Sequence, residues 1–534
     1  MESIGQSSNV VKGLDTCNND VFLRQWSEVN YNKIGFNIND NEFTFNHKWF
    51  PYSKGGGYRK WYGNNAMVVD WEDNGAVLRN LKTPTGKLKA RPQNMKYYFK
   101  EGLTFSSISS KALSIRYMEN SIFGGGGSGL FTENSKFAYF YLAILNSKVS
   151  QYILDIVNPT MNKLVGDLLS IPIPDYNDIV SDIAKENIGI SKIDWDSFET
   201  SWDFKLSPLI KPQNSSILIE DNYISWVTVI NEKYDQLKEN EEELNRIFID
   251  IYGLEDELTP EVSERDITIT RIYDDAKDIP EEIKGNQYVL TKKDVIQQFI
   301  SYAVGCMFGR YSLDEDGLVY AGGEFDASRY ETYGVVEDNI IPITSDVYLE
   351  DDLVNRFIKF VETVYGKETL EENLGFIAEA LGQKKNETTR DTIHRYFLND
   401  FFKDHARMYS VTGSGRRPIY WKFTSGKENA FNCFIYMHRY DKTTISRIRT
   451  EYLHDVQQRL ETRKIDLDQI LNSDASTTEL NKARKEMKTV EKQLAELVAY
   501  DEKLRHMADQ QIEIDLDDGF KVNYPKFKGL VEKV

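Results

Sequence analysis

Cysteine is scarce in this sequence: Cys17, Cys306 and Cys433 lie far apart in a chain of 534 residues. Three isolated thiols give no support for a disulfide framework, and they lack the spacing of a structural zinc site. Free thiols are typical of a reducing compartment, so we expect a cytoplasmic protein.

Long apolar runs are also missing. No segment offers the roughly eighteen uninterrupted apolar residues that a membrane-spanning helix needs. The first residues, MESIGQSSNVVKG, do not show the basic and then apolar pattern of a secretory signal. We therefore expect no membrane contact.

Catalytic motifs are largely absent as well. There is no Walker A sequence, no G-x-S-x-G elbow and no cluster of His, Cys and Asp with metal-ligand spacing. Residues 123–127, FGGGG, match the F-x-G-x-G of methyltransferase cofactor loops, but neither the expected strand before them nor an acidic strand end after them is present. We interpret them as a mobile loop. The adenine-pocket motif (Asp/Asn/Ser)-Pro-Pro-aromatic has only Asn158-Pro159-Thr160-Met161 as a counterpart, which is interpreted as a helix stop.

Negative charge outweighs positive charge overall, with 84 Asp and Glu against 65 Lys and Arg and a net charge of −19, but positive charge is concentrated near the start of the chain. Residues 47–117 contain thirteen Lys and Arg residues against four Asp and Glu, interleaved with Trp, Tyr and Gly. Cations between aromatic rings are typical of a surface that contacts a polyanion with stackable bases. A loop-rich, solvated β surface is the open alternative. The acidic remainder argues against broad contact with nucleic acid.

Hydrophobic periodicity predicts an α+β protein in three parts. Residues 1–175 are predicted to be a mixed α/β domain with short strands and a helix at 139–157. Residues 176–339 are predicted to be acidic and mostly helical, with helix ends at Gly253 and Gly309. Residues 340–534 are predicted to contain a helix at 386–404, a β-hairpin at about 416–440, a helical hairpin at about 443–507 and a strand-like tail.

Several segments resemble the C-terminal portion of the PglX family, the adenine-specific DNA methyltransferases of BREX (bacteriophage exclusion) systems. They include KWFPYSKGGGYRKWYGNN, RPQNMKYYFKEGLTFSSIS, FISYAVGCMFGRYSLDEDGLVYAGG and RRPIYWKFTSGK, in family-like order across most of the chain. Each segment is weak alone, but the ordered set is specific. LAILNSKVSQYIL followed by IPIP is also similar to the end of a target recognition domain in type I restriction specificity subunits.

The resemblance implies the DNA sequence-recognition portion of an S-adenosylmethionine-dependent, site-specific adenine-N6 methyltransferase in phage defence. In this family the catalytic domain lies upstream of these segments, so we expect it to be absent from this chain. We then expect no catalytic residue, no metal and no cofactor here, although S-adenosylmethionine is implied for the full-length enzyme. The implied partners are double-stranded DNA, a methyltransferase domain in cis or in trans, and other BREX proteins.

Residues 1–175 would then be the target recognition domain, and the basic segment supplies the candidate DNA contacts. Arg and Lys suit phosphate and guanine, Asn and Gln suit adenine, and aromatic rings can stack or wedge. For each single residue a role in supporting the fold is at least as probable, and Trp49, Trp61 and Trp71 are typical core residues. The candidates are Lys54, Tyr58, Arg59, Lys60, Trp61, Tyr62, Lys87, Lys89, Arg91, Gln93 and Asn94.

A second class of function stays open at this point. In that alternative the acidic helical half is a scaffold that docks other defence proteins, and the basic segment does not read DNA. Salt-sensitive binding to duplex DNA would distinguish the two classes.

Overall fold

A computed structural model describes residues 1–38, 45–106, 112–160, 165–210, 217–345, 351–411 and 415–534. Helices and strands both occur along the chain, which confirms the predicted α+β class. Helices dominate after residue 175, and most of the strands lie before it.

The strands of the first 175 residues are short and form two four-stranded sheets with small additional pairs. They are β1 (Glu2–Ser3), β2 (Ser8–Val11), β3 (Leu14–Asp15), β4 (Leu23–Gln25), β5 (Trp49–Ser53), β6 (Met67–Asp70), β7 (Arg91–Pro92), β8 (Gly102–Ser106), β9 (Ile115–Met118), β10 (Ile122–Phe123), β11 (Gly127–Thr132) and β12 (Pro172–Ile173). One sheet has the order β10-β5-β6-β4, and the other has the order β2-β11-β8-β9. β1 pairs with β12, and β3 pairs with β7.

The glycine-rich residues 123–127 connect β10 to β11 rather than forming a free loop. Gly124 forms a bridge to Leu14. A Cβ on Gly127 would lie 2.6 Å from the carbonyl oxygen of Ser53, so only glycine allows this close approach of two chain segments. The segment therefore has strands on both sides, whereas a cofactor loop leads from a strand into a helix.

The helices of this region are α1 (Ile4–Ser7), α2 (Asn19–Phe22), α3 (Glu72–Asn80), α4 (Ser135–Leu145), α5 (Lys148–Val157) and α6 (Val165–Leu169). The prediction of one helix at 139–157 is wrong, because the chain breaks between α4 and α5. The Ser147 side chain accepts a hydrogen bond from the Ser150 amide and caps α5. The Asn146 side chain bonds both backbone groups of Ile115 in β9. The predicted stop before Asn158-Pro159 is confirmed.

Two long helices and one apolar helix organise the middle region. They are α7 (Asp178–Asp196), α8 (Ile219–Tyr252) and α9 (Lys292–Phe308), with β13 (Arg271–Tyr273) and β14 (Val289–Thr291) paired in parallel before α9. Gly253 and Gly309 cap α8 and α9 in the left-handed conformation, as predicted.

The last region combines helices with a small antiparallel sheet. Its helices are α10 (Leu353–Tyr365), α11 (Leu370–Ala380), α12 (Thr389–Asn399), α13 (Phe401–Met408), α14 (Thr444–Arg447), α15 (His454–Leu471), α16 (Thr477–Asp509) and α17 (Phe520–Asn523), with a π-helical turn at Ile448–Leu453. Its strands are β15 (Ile341–Ile343), β16 (Ser410–Val411), β17 (Gly415–Arg416), β18 (Tyr420–Thr424) and β19 (Asn432–Tyr436). The β18–β19 and α15–α16 hairpins confirm two predictions, and β15 adds a third strand.

Two other predictions for this region are wrong. The predicted helix at 386–404 is two helices, α12 and α13, which break at Asp400. The tail is helical rather than strand-like. Its Asp517 carboxylate accepts a hydrogen bond from the Trp49 indole at 2.9 Å and forms ion pairs with Lys33 and Lys48. These contacts with the first region hold the tail in a compact, helical course.

The hydrophobic clusters extend across the predicted region limits. One cluster joins the first sheets and α4 to apolar residues of α7 and α8. The largest cluster joins α9 to the helices and the sheet of the last region. The limits at 175 and 339 remain predictions, and the first region rests on the middle region through a shared core.

Candidate nucleic-acid interface

The predicted DNA contacts divide into two groups with opposite surroundings. Residues 59–62 are buried where the first region meets α7 and α8. Residues 87–94 lie largely on the surface, in a loop that projects between α3 and β8. The two groups are close in sequence, but they have different roles in the fold.

Arg59 is 4% exposed and fully engaged inside the protein. Its guanidinium donates to the Asp194 carboxylate at 2.9 Å and to the Tyr62 carbonyl at 2.7 Å. It also lies 5.0 Å from the ring centre of Trp195. Arg59 therefore joins the basic segment to the end of α7.

Lys60 and Trp61 share one carboxylate on α8. The Lys60 ammonium is bonded to Glu241, and the Trp61 indole donates to the other oxygen of Glu241 at 2.7 Å. Burial alone would lower the pKa of Lys60, but the charge and hydrogen bond of Glu241 act together with Tyr58 and Asp266, and the net effect raises it. Lys60 is thus a charged group paired in the interior.

The burial and pairing of Arg59, Lys60 and Trp61 argue against their predicted contact with DNA. Contact with phosphate would require each side chain to leave a buried partner, which would strand Asp194 or Glu241 without its counter-charge. Tyr62 is 6% exposed, and its hydroxyl accepts from Lys192 at 3.0 Å. These four residues stabilise the contact between the first region and the two acidic helices.

Tyr58 and Lys54 have an intermediate position. Both are half-buried. Burial raises the pKa of Tyr58 to about 12. Burial, together with nearby Arg417 and Lys521, lowers the pKa of Lys54. Lys54 lies at the edge of a cavity rather than on the exposed loop.

The exposed group forms a short, well-defined hairpin, here called the basic loop (residues 81–94). The Thr83 amide donates to the Lys87 carbonyl at 2.7 Å, and the Lys89 amide donates to the Leu81 carbonyl at 2.7 Å. The chain reverses direction at Gly86, whose φ of +82° favours glycine. Lys87 and Lys89 both follow this tip and are exposed.

The end of the basic loop is anchored to the domain. Arg91 and Pro92 pair with Asp15 and Leu14 of β3. The aromatic residues that follow bury their rings: Tyr98 is 1% exposed and Phe99 is 2% exposed. These buried rings anchor the segment, so Gln93 and Asn94 are presented from a fixed base.

Asn94 and Gln93 differ in their surroundings. Asn94 has a left-handed φ of +55°, and its side-chain nitrogen donates to the Lys12 carbonyl at 2.8 Å. The Asn94 amide therefore holds the loop against β2 and β3. Gln93 is exposed and makes no side-chain hydrogen bond with a described residue. Of the two amides, Gln93 is the better placed for contact with a base edge.

Sequence reasoning missed three cations in or near the basic loop: Lys82 lies within it, and Lys96 and Lys100 follow it. Lys82, Lys96 and Lys100 are exposed and flank the predicted Lys87, Lys89 and Arg91. Within the described ranges, none of these six cations forms an ion pair with a carboxylate. The signal was the run of Lys and Arg at residues 79–100 with no acidic residue between them. The free positive charge of the first region is thus concentrated at this loop.

No described helix is long and apolar enough to cross a membrane. No group of three or more His, Cys, Asp and Glu side chains in the described part of the chain is arranged to hold a metal ion.

Comparison with known proteins gives the same class of protein as the sequence motifs. The chain is 40% identical over 524 residues, 96% of its length, to "Adenine-specific methyltransferase PglX" of Lacticaseibacillus casei (strain Zhang). It is 40% identical over 543 aligned positions, 99% of its length, to "Adenine-specific methyltransferase BrxX" of Escherichia coli O9:H4 (strain HS). These matches confirm the resemblance to PglX. The chain spans 42% and 43% of the length of these relatives. No family model matches the chain.

Proposed function

We propose that this chain is the DNA sequence-recognition portion of a site-specific adenine-N6 DNA methyltransferase of a BREX phage-defence system. The observation that carries the proposal is the 40% identity, along nearly the whole chain, to two adenine-specific methyltransferases. DNA is the substrate that such an enzyme must read, and a target sequence must be recognised by some part of the protein.

The basic loop supports this role for the first region. It presents unpaired cations that can neutralise phosphates, and it holds Gln93 next to them where a side-chain amide can reach a base edge. In the proposal, Lys87, Lys89 and Arg91 position the duplex and Gln93 contributes to sequence choice. Asn94 fixes the loop, and Arg59, Lys60 and Trp61 hold the recognition domain on α7 and α8.

The proposal assigns catalysis, and the S-adenosylmethionine site, to another part of the full-length enzyme. Residues 158–161 lack the second proline and the aromatic ring of the adenine pocket. The FGGGG segment lies between two strands. Both observations favour a role for this chain in DNA recognition and not in methyl transfer.

A titration of fluorescently labelled duplex DNA at two salt concentrations tests the proposal. Binding that weakens steeply with salt favours DNA recognition, because each phosphate contact releases counterions. Absence of binding at low salt would overturn it. The alternative function is a scaffold for other defence proteins, for which the exposed acidic faces of the helical regions are the supporting feature.

A further inference from the structure

A cavity of about 350 Å³ lies where the first, middle and last regions meet. Its wall is built from six separate parts of the chain, which no local sequence pattern brings together. They include Gln25, Lys54, Trp195, Phe198, Tyr288 and Tyr409. A cavity of this size falls in the range of small-ligand sites.

Aromatic side chains held in fixed positions line one side of the cavity. The Arg59 guanidinium lies 5.0 Å from the ring centre of Trp195 and 5.5 Å from that of Tyr288. Hydrogen bonds to Asp194 and to two backbone carbonyls fix the position of Arg59. The rings of Trp195 and Tyr288, which contact Arg59, are therefore fixed as well. Phe198 adds a further apolar surface. Such rings bind planar heteroaromatic molecules by stacking.

A polar group lies in the same wall without a partner. Gln25 is 3% exposed, and its side-chain nitrogen has no hydrogen-bond partner among the described residues. A buried donor left unpaired costs about 1–3 kcal/mol. A ligand with a hydrogen-bond acceptor would remove that cost.

A lysine also lines the cavity. The Lys54 side chain lines it and is half-buried. Arg417 and Lys521 lie near enough to Lys54 to help burial lower its pKa. Arg417 is ion-paired with Glu28 and Lys521 with Asp20, so Lys54 is the lining cation that an anionic group, such as a phosphate, would contact.

We propose that this cavity binds the nucleobase of a nucleotide, with the ring beside Trp195 and Tyr288 and the phosphate towards Lys54. Gln25 donates to an acceptor atom of the base. Two sources supply this chemistry: a free nucleotide, and a base extruded from a DNA strand. The inference does not rest on the proposed reading of DNA by the basic loop.

Two binding experiments on the full chain distinguish the sources. Isothermal titration calorimetry with each of the four nucleoside 5′-monophosphates tests the free ligand. A duplex containing 2-aminopurine tests extrusion, because the fluorescence of that base changes when it leaves the stack. A saturable signal in the first experiment identifies a free nucleotide, and a signal in the second alone identifies an extruded base.

Three variants test whether the binding signal comes from this cavity. Ala66→Phe places a ring in the cavity wall and should abolish it, whereas Ala76→Phe makes the same change on exposed α3 and should leave it unchanged. Gln25→Leu removes the donor and should weaken binding about three- to tenfold, so it gives a second test if Ala66→Phe misfolds.

No signal from the wild-type chain in either experiment would overturn the inference. So would a signal that survives both Ala66→Phe and Gln25→Leu. Salt-sensitive binding of an unmodified duplex is measured in parallel, so that failure of the cavity proposal is distinguished from failure of the proposed DNA recognition.

Discussion

The ammonium of Lys60 is bonded to the carboxylate of Glu241, a residue 181 positions further along the chain. Lys60 is 4% exposed and Glu241 is 5% exposed. The pair joins the basic segment of the first region to the acidic helix α8. Charge that appeared in the sequence as a candidate DNA contact is therefore used to assemble the protein.

Removing one partner of this pair should destabilise the fold. We expect Lys60→Met to lower the free energy of unfolding by about 3–5 kcal/mol, because Glu241 is left as an uncompensated buried charge. Urea denaturation measures the change. The double variant Lys60→Met with Glu241→Gln should recover part of the loss. A loss below about 1 kcal/mol, as is usual for a surface ion pair, would contradict the assignment.

Gln93 and Asn94 should respond differently to substitution in a full-length enzyme that carries this chain. Gln93→Ala should change which sites are methylated, at about 1–3 kcal/mol for a lost bidentate contact. Asn94→Ala should lower methylation at all sites, since it frees the loop from Lys12 and strains a left-handed backbone. Methylome sequencing separates the two outcomes. Asn94→Gly, which keeps the backbone conformation, is the control. An unchanged motif in Gln93→Ala would remove that residue from base reading.

The isolated chain should not bind S-adenosylmethionine, because the glycine-rich segment connects two strands and the adenine-pocket motif is incomplete. Isothermal titration calorimetry with S-adenosylmethionine is the measurement. Heat that saturates at one ligand per chain with micromolar affinity would show that a cofactor site is present after all.

Glu199 should make stability depend on pH in a specific direction. Burial raises the pKa of this carboxyl from its ordinary 4.5 to about 7, although Ser301 and Arg310 act against burial. Between these two values the folded protein holds a proton that the unfolded chain has released. The contribution of Glu199 to stability therefore falls as pH rises from about 4.5 to about 7, and it is constant above that.

Glu199→Gln should remove this dependence. Urea denaturation at pH 5 and at pH 8 gives the difference in free energy of unfolding between the variant and the wild type. We expect this difference, variant minus wild type, to be more positive at pH 8 than at pH 5. Glu513→Gln, on the exposed tail, is the control and should show no such difference. A relative stability of Glu199→Gln that does not change with pH would rule out the raised pKa.

Local patterns in the sequence predicted the parts of the fold that depend on local chemistry. Gly253 and Gly309 end helices because glycine tolerates the left-handed conformation, and the β18–β19 and α15–α16 hairpins follow from periodicity and turn residues. The break between α4 and α5 was missed because it depends on Asn146 bonding a distant strand. The tail was misassigned because contacts of Asp517 with the first region set its course.

The sequence predicted only one part of the candidate site, again because local patterns report only local chemistry. Lys87, Lys89 and Gln93 lie in a hairpin whose exposure follows from its polar, glycine-turned sequence. Arg59 and Lys60 are equally basic in sequence, but their partners Asp194 and Glu241 are more than 130 positions away. Burial of a cation by a remote carboxylate leaves no local trace, so composition alone assigned both groups to DNA.

The most direct measurement of the central claim is the salt dependence of duplex DNA binding by a triple variant of the basic loop. Replacing Lys87, Lys89 and Arg91 by Ala should weaken binding to every sequence and reduce the log–log salt slope by up to about 3 units. Replacing the exposed Lys482, Lys485 and Lys488 of α16 by Ala changes the net charge by the same amount and is the matched control. The account predicts that only the first variant loses affinity. Equal affinities and equal slopes for the wild type and the loop variant would contradict it.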